Sequence, residues 1–410
     1  MKRGLLAIAG VGALTVLAWA LSHPVTDVAL GVRVAQLIAA LALVGFATSN
    51  AISTRYRVID GLFNGLDKAY LVHKWVGLSS MGLVVVHIVT VGVTRTGPTG
   101  RATWAAHFGA PSLTLFVVLG LVALFARRVK YEVWQTVHKF MLLPYVIGLV
   151  HYYGASTYDP FRLSPFSLWL DVVNVVGVAC AVYSLVFYPR FAFPFRYVVS
   201  AVRAVAPGSV EITGQPTGRG LRYRPGQFTF VRFGKQPAHP YTIGAGPSNG
   251  TLQFTIKAAG DHTRALVETA AVGDTFVVST AHGRFDYTRG GRRQVWIAGG
   301  SGLTPFRSFY LAGVPDAYDI DLFYAYHGDA GVYLDELAAL ARPNVRVHLV
   351  DDTVQGYLTP AMVAAVLPPG TPVDVYFCGP EPLRDLLRQG LPAAGVTVAG
   401  FHMERFRFAR

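Results

Sequence analysis

Four histidines in apolar surroundings carry the clearest chemistry in this 410-residue chain. His73 and His87 close the stretch HKWVGLSSMGLVVVH, fourteen positions apart, and His138 and His151 close HKFMLLPYVIGLVH, thirteen apart. An imidazole inside a hydrocarbon-like segment is costly unless its ring nitrogens are satisfied. On helices, fourteen residues rise about 21 Å and thirteen about 19.5 Å. Two parallel helices would therefore carry two levels of paired histidines, His73 with His138 and His87 with His151, one near each face of a membrane. Neutral imidazole is a good axial ligand for haem iron, and ligation satisfies the costly nitrogen. A flat macrocycle between two helices would take one histidine from each. The levels are too far apart to share one ion, and two histidines alone make a poor cage for a bare metal. His23 and His107 fall in loops without such partners and read as ordinary surface residues. Helix phase poses one difficulty: fourteen positions return a side chain to within about 40° of its starting face, thirteen leave it about 140° away. Pro144 lies between His138 and His151 and is expected to kink that helix.

The elements that must position these residues are apolar spans of roughly membrane-crossing length. Six are expected: about Leu5–Leu21, Val28–Thr48, Leu71–Val93, Ala110–Ala126, Trp134–Tyr153 and Ser167–Tyr188. Apolar residues make up 52% of the chain and charged residues 14%, well below the roughly 25% charged residues of soluble domains. The first span has a rival reading as a secretory leader, with Lys2 and Arg3 before an apolar run and Ala18-Trp19-Ala20 after it. Cleavage there would leave the later spans oriented as before. Lys2, Arg3, Arg55, Arg57, Lys68, Arg127, Arg128, Lys130, Arg190 and Arg196 fall on one side of the spans, and Arg95, Arg101 and Arg162 on the other. The basic side is expected to be cytoplasmic. A multi-pass protein of the cell membrane with everything after Arg190 in the cytoplasm follows. The net charge of +13 is explained by these loops, and no basic-aromatic motif points to nucleic acid.

Polarity changes near residue 190. Residues 197–288 hold short alternating segments broken by glycine and proline (RYVVSAVRAV, SVEITGQP, GQFTFVRF, GTLQFTIKA, GDTFVVSTA), the pattern of an antiparallel barrel. Residues 294–410 alternate apolar strands (QVWIAGG, DIDLFYAYH, NVRVHLVDD, PVDVYFCGP) with helical stretches, the pattern of a parallel α/β sheet. Cys180 and Cys378 are far apart and form no CxxC pair, which supports neither a disulfide framework nor a cysteine zinc site.

With the histidine pairs, the motifs HPYT, IKAAGDHT, AGGSGLTP, CGP and ERFRF follow one another in an order that resembles a known family. The chain is similar to bacterial NADPH oxidase or ferric reductase-like transmembrane proteins with ferredoxin-reductase-type FAD and NAD(P) domains. The resemblance covers nearly the whole chain. It implies a multi-domain fold: a six-helix transmembrane bundle binding two haem b groups over residues 1–190, an antiparallel β-barrel FAD domain over 191–290, and a parallel α/β NAD(P)H-binding domain over 291–410.

The resemblance also implies roles. Tyr241 packs against the flavin ring, Thr242 hydrogen-bonds near its reactive nitrogen, and His239 faces its ribityl-phosphate portion, with Pro240 between them. In IKAAGDHT, which begins beside Lys257, Gly260 permits a tight turn and Asp261 or Thr263 caps the helix that follows. The N–H groups there would bind the FAD pyrophosphate. In AGGSGLTP, Gly299, Gly300 and Gly302 let a nucleotide phosphate approach the backbone, and Thr304 with Pro305 opens the next helix. Cys378, Gly379 and Pro380 end a late strand, where parallel sheets hold ligands, and the resemblance puts Cys378 near the nicotinamide. Phe406 would cover the flavin face until nicotinamide displaces it, with Phe408 as the alternative because the chain runs four residues past Phe406.

Together these imply electron transfer from NAD(P)H to FAD, then singly to the His73/His138 haem and the His87/His151 haem. Each electron moving against 100 mV costs about 2.3 kcal/mol. Oxygen, giving superoxide, is the first acceptor expected; a ferric chelate is the second and a periplasmic redox partner the third. Arg33, near the outer end of the second span, would pair with a haem propionate or attract superoxide. Val91 stands where some mammalian oxidases have a further histidine, four positions past the outer ligand, which weakens the oxygen reading. A transporter with proton-relaying histidines is the remaining rival, and the flavin and nicotinamide motifs argue against it. YAYHGD carries no arginine to select a 2′-phosphate, so NADH and NADPH stay open. No calcium loop or phosphate switch is visible.

Overall fold

A computed structural model describes all residues except 1, 25–27, 95–102, 126–130, 159–162, 235, 248–249, 341, 369 and 404–410. Six of the loop cations used to orient the spans, Arg95, Arg101, Arg127, Arg128, Lys130 and Arg162, lie outside the described residues. The chain divides into two compact units, one running to Phe191 and the other beginning at Ala192.

The first unit is helical: α1 (Lys2–Ala20), α2 (Leu30–Ser53), α3 (Arg57–Phe63), α4 (Leu66–Thr94), α5 (Gly109–Leu124), α6 (Tyr131–Lys139), α7 (Leu142–Ala155), α8 (Pro165–Val182) and α9 (Tyr188–Phe191). Among the described residues, five spans are long and apolar enough to cross a bilayer: α1, α2, α4, α6 with α7, and α8 continued through α9. The sixth expected span is the shorter α5, whose 16 residues rise about 24 Å against an apolar thickness of about 30 Å. The helix α2 is the hub, with 44% of its apolar window buried against 6–22% for the other four. Its small residues allow close approach: a Cβ added at Gly177 of α8 would stand 2.6 Å from the Ala47 methyl of α2. The outer faces stay apolar, with Leu6 71%, Trp75 61% and Val175 67% exposed, as suits contact with lipid and would be a liability in water. The first helix is part of this packing, since Ala18 joins the core and Trp169 Nε1 donates to Thr15 Oγ1 at 2.9 Å.

The fifth span is broken rather than kinked. Phe140, Met141 and Leu143 N–H donate to Val137, His138 and Phe140 carbonyls at 3.0, 3.1 and 2.9 Å, each three residues back. Pro144, which has no N–H to give the Phe140 carbonyl, then falls in the first turn of a new helix, where a missing donor costs nothing. Such tight steps turn about 120° instead of about 100° per residue, so three or four of them remove roughly 60–80° of the phase difference.

In the second unit, β1 (Phe195–Ala206), β2 (Ser209–Pro216), β3 (Phe228–Phe233), β4 (His239–Thr242), β5 (Leu252–Lys257) and β6 (Thr275–Val278) form an antiparallel sheet in the order β4-β3-β6-β1-β2-β5. Its edges approach one another just past β4, where Gly244 N–H donates to the Gln253 carbonyl of β5 at 2.8 Å. Tyr197, Ile212, Phe254, Phe276 and Val278 fill the interior. After α10 (Asp261–Thr269) come β7 (Arg293–Gly299), α11 (Thr304–Ala312), β8 (Asp319–Tyr326), α12 (Leu334–Ala338), β9 (Val345–Asp351), β10 (Val373–Cys378) and β11 (Val398–Met403). The last five strands form a parallel sheet in the order β11-β10-β7-β8-β9. The strand β11 is not among the four strands that apolar runs mark: with Gly400 and His402 inside it, it has no such run to announce it. Asp321, fully buried on β8, is held by Arg293, Arg346 and His348, and their hydrogen bonds keep its carboxyl well below the usual range despite burial. Because the chain goes from β7 outward to β8 and β9, then returns to place β10 on the other side of β7, the sheet's switch point lies between β7 and β10. Ligands of open parallel sheets bind outside the carboxyl ends of the strands at that point.

Candidate functional site

In the helical unit the four histidines meet as two facing pairs. The ring centroids of His73 and His138 are 6.0 Å apart with planes at 72°, and those of His87 and His151 are 6.4 Å apart at 67°. Three of the four are anchored through Nδ1. His73 Nδ1 contacts the Ser49 carbonyl at 3.0 Å and Ser49 Oγ at 2.8 Å. His87 Nδ1 donates to the Ala35 carbonyl at 2.9 Å, and His151 Nδ1 to the Ala105 carbonyl at 3.2 Å. A proton spent on a carbonyl at Nδ1 leaves Nε2 with its lone pair, the form in which imidazole ligates metals. His138 is oriented differently, by stacking on Trp134 with centroids 5.3 Å apart. Its Nδ1 is buried and has no partner among the described residues.

Both anchors of α4 come from one helix. Ser49 and Ala35 lie fourteen residues apart on α2, as His73 and His87 do on α4, and each pair of numbers adds to the same sum, as antiparallel helices in fixed register require. Sequence reasoning missed Ser49, Ala35 and Ala105. The first two carry a signal in that matched spacing; Ala105, which precedes α5 in a 3₁₀ segment, carries none. His151 also packs against backbone, since a Cβ added at Gly109 would stand 3.0–3.2 Å from three of its ring atoms. Arg33 sits half a turn from Ala35. Its Nε donates to Tyr158 Oη at 3.2 Å, its Nη2 to the Ser22 carbonyl at 3.1 Å, and its guanidinium lies 5.2 Å from the centre of the Trp19 ring. None of these three partners is anionic.

The strand ends of the second unit form the other site. On β4, His239 stacks on His262 of α10 with centroids 3.8 Å apart, which brings HPYT and IKAAGDHT together. The Tyr241 hydroxyl and Thr242 Oγ1 are buried without a hydrogen-bond partner among the described residues, and burial raises the Tyr241 hydroxyl's pKa. Orphaned polar atoms cost roughly 1–3 kcal/mol each, so a strand edge that keeps two of them is one a ligand would complete. Pro240 lies between His239 and Tyr241 on this strand, and Lys257 ends β5 exposed. Thr263, not Asp261, makes the cap of α10, its Oγ1 accepting from Ala259 and Gly260 N–H at 2.9 and 3.0 Å. Gly260 sits at the bend into α10 with an extended φ of −157°, not the left-handed backbone that would demand glycine. A Cβ there would meet nothing within 4 Å, which leaves backbone open to a close approach.

At the switch point the three glycines of AGGSGLTP do different work. Gly300 has φ +54° and open space around its missing side chain, so it takes the left-handed turn that glycine favours. Gly302 has no room for a Cβ because the Cys378 carbonyl occupies the place, and a Cβ at Gly299 would stand 2.6 Å from Pro380 Cδ. Gly379 in turn lies against the Gly299 backbone. The turns after β7 and β10 are thus packed into each other, and Gly300 is the position left open. Thr304 begins α11, its Oγ1 donating to the Ser301 carbonyl at 2.8 Å, with Pro305 in the first turn. Cys378 is fully buried at the end of β10. Phe406 and Phe408 lie outside the described residues.

Three family descriptions match in chain order: Ferric reductase like transmembrane component over residues 32–149, FAD-binding domain over 197–282, and Oxidoreductase NAD-binding domain over 296–389. The ferredoxin reductase component of 3-ketosteroid-9-alpha-monooxygenase from Mycobacterium tuberculosis is 30% identical over 220 residues, covering 51% of this chain and 61% of that protein. The electron transfer component of 2-halobenzoate 1,2-dioxygenase from Burkholderia cepacia is 29% identical over 200 residues, covering 45% and 59%. This chain therefore spans about three fifths of the length of these relatives. Among solved structures, the FAD/NAD binding domain of nitric oxide dioxygenase from Vibrio cholerae O1 biovar El Tor matches with 21% identity and a TM-score of 0.47, covering 52% of this chain and 98% of that one.

Proposed function

We propose that this chain, which carries a ferric reductase-like transmembrane component followed by FAD- and NAD-binding domains of ferredoxin-reductase type, conducts electrons from cytoplasmic NAD(P)H across the cell membrane through FAD and two b-type haems. The reading divides the chain into a haem-binding membrane domain over 1–190, a flavin domain over 191–290 and a nicotinamide domain over 291–410. The observation that carries it is the spacing of the histidine rings. Two imidazoles that ligate one metal from opposite sides, through bonds of about 2.0 Å and with roughly 1.2 Å from nitrogen to ring centre, have centroids about 6.4 Å apart. The two pairs stand at 6.0 and 6.4 Å, with three of the four Nδ1 atoms already committed to backbone carbonyls.

Bound in these places, the flavin would accept a hydride from nicotinamide and the haems would carry single electrons. The residues supply position. His73 and His138 hold the inner level, His87 and His151 the outer. Tyr241 and Thr242 offer their unpartnered hydroxyls to the flavin ring, and His239, stacked on His262, lines its ribityl-phosphate end. Gly260, Asp261 and Thr263 open α10 toward the pyrophosphate. Gly300 gives the nicotinamide dinucleotide its phosphate contact, while Gly299, Gly302, Gly379 and Pro380 lock the two turns, and Cys378 ends β10 beside the nicotinamide position; covering of the flavin by Phe406 is implied by the family resemblance alone. At the outer level Arg33, held by neutral partners, keeps its charge available to an anion. Oxygen is the acceptor we assign, with superoxide as product. A ferric chelate is the second reading, favoured by the match to a ferric reductase-like component.

The test is anaerobic reduction of the purified protein by NADH or NADPH, followed by oxygen or ferric citrate, with the haem band monitored throughout. Reduction of flavin and haem, then rapid reoxidation by oxygen with superoxide formed, is the expected result. Reoxidation by ferric citrate but not by oxygen would establish the second reading. A preparation holding flavin but no haem would overturn the membrane half of the proposal.

A further inference from the structure

Among the described residues of the second unit, one buried arginine joins the two sheets. Arg307 lies one turn into α11, on the same face as Thr304, and is 5% exposed. Toward the parallel sheet it makes a forked bond to Glu336 of α12, with Nε at 2.9 and 3.1 Å and Nη2 at 2.9 Å from the carboxylate oxygens. Toward the antiparallel sheet its Nη1 reaches Glu211 of β2 at 3.0 Å, Gln253 of β5 at 3.0 Å and the Gly244 carbonyl at 3.3 Å. Gly244 is two residues past Thr242, and a Cβ added there would stand 3.0 Å from Thr304 Cγ2. The end of the HPYT strand therefore rests directly on the start of the helix that follows the AGGSG turn.

Tyr333 completes the cluster. Its ring lies 4.1 Å from the Arg307 guanidinium carbon, and its hydroxyl donates to Glu211 at 2.9 Å and contacts Thr255 Oγ1 at 2.8 Å. To reach them it adopts φ +57°, a conformation strained for an aromatic residue. In the second unit no other described residue except glycine has a positive φ. Strain of this kind persists where surrounding contacts over-determine it. Buried ion clusters contribute little net stability, because desolvation offsets attraction. What they do supply is a fixed geometry, since forked and stacked arginine contacts tolerate little rotation.

We propose that Arg307, Glu211, Glu336 and Tyr333 form a clamp that sets the approach of nicotinamide to flavin, with Arg307 and Tyr333 acting as positioning residues for hydride transfer. The proposal rests on the flavin and nicotinamide sites assigned above. Its geometry differs from a domain contact that only adds stability: every partner of Arg307 on the flavin side lies within two residues of Thr242 or on the adjoining β2–β5 ladder. A small rotation there shifts the hydride donor relative to the acceptor without emptying either site, and transfer is steeply sensitive to such misplacement.

The experiment is anaerobic stopped-flow reduction of full-length protein, with rates expressed per bound flavin, using NADH or NADPH and their 4-deuterated forms. Arg307→Lys keeps the charge and loses the fork. We expect its saturating rate of flavin reduction to fall at least tenfold and its deuterium isotope effect to change, with nicotinamide affinity within about twofold of the parent. Tyr333→Phe, which removes one hydroxyl and keeps the ring, is expected to fall about three- to tenfold, and it decides the matter if Arg307→Lys loses its flavin. Rates and isotope effects equal to the parent's in the deciding variant would overturn the clamp while leaving the assigned sites intact. A parent protein that neither NADH nor NADPH reduces would overturn both.

Discussion

In the helical unit three of the four candidate ligands are held by backbone carbonyls on a neighbouring helix and a single 3₁₀ segment, while in the second unit the candidate site is held by loops packed into loops and by a buried ionic cluster. The difference follows from what surrounds each. Most side chains around the histidines are apolar and many face outward, so the available partners for a ring N–H are main-chain oxygens, and helix register alone decides which oxygen meets which histidine. In the second unit water is available at the surface and charged side chains can be drawn inward in compensating sets, so Arg307 and Asp321 each gather several partners. One unit positions by phase along a helix and the other by topology and electrostatics.

Breaking the helical half has the largest expected effect. His87→Ala should remove the outer haem and lower electron delivery to any external acceptor at least 100-fold, while flavin reduction by NAD(P)H proceeds at the parental rate; haem-to-flavin ratio and acceptor reduction measure the two separately. Full delivery with one haem remaining would mean that the outer pair is not on the route.

Breaking the other half should do less and spare the haems. Gly302→Ala places a methyl where the Cys378 carbonyl now sits, and overpacking of that kind costs about 1–3 kcal/mol. The nicotinamide KM should rise roughly tenfold at constant haem content. An unchanged KM would show that the two turns separate easily and do not shape the nucleotide site together.

The smallest effect sharpens the contrast. Ser49→Ala removes the hydroxyl 2.8 Å from His73 but leaves the Ser49 carbonyl at 3.0 Å. The lost hydrogen bond is worth about 1 kcal/mol. Both haems should remain bound, and only the inner midpoint potential should shift, by tens of millivolts in a redox titration. Loss of the inner haem would mean that the hydroxyl, and not helix register, holds the ligand.

Much of this was legible in the sequence because it depends on periodicity. Apolar runs marked the spans, and the nearly equal spacing of His73/His87 and His138/His151, fourteen and thirteen positions, marked the pairs. Glycine placed after an apolar strand marked the turn at Gly299–Gly302. The legible part stopped where a contact joins distant segments by geometry rather than by pattern. The choice of Thr263 over Asp261 as the cap of α10, the anchoring carbonyl of Ala105 and the strand β11 fell on the wrong side of that line.

Composition and spacing by themselves determined that this chain has a membrane part followed by two sheet-bearing parts, because hydrophobic periodicity directly reflects what each face of an element touches. They also determined which histidines pair, since helical rise converts residue number into height. They did not determine that the pairs face one another. That depended on three short-range hydrogen bonds before Pro144, which rotate one half of a span against the other. Nor did they show that Arg307 sees Glu211, Glu336 and Tyr333 at once. Those residues come from β2, α11 and the start of α12, and only the folding of both sheets around α11 brings them within reach.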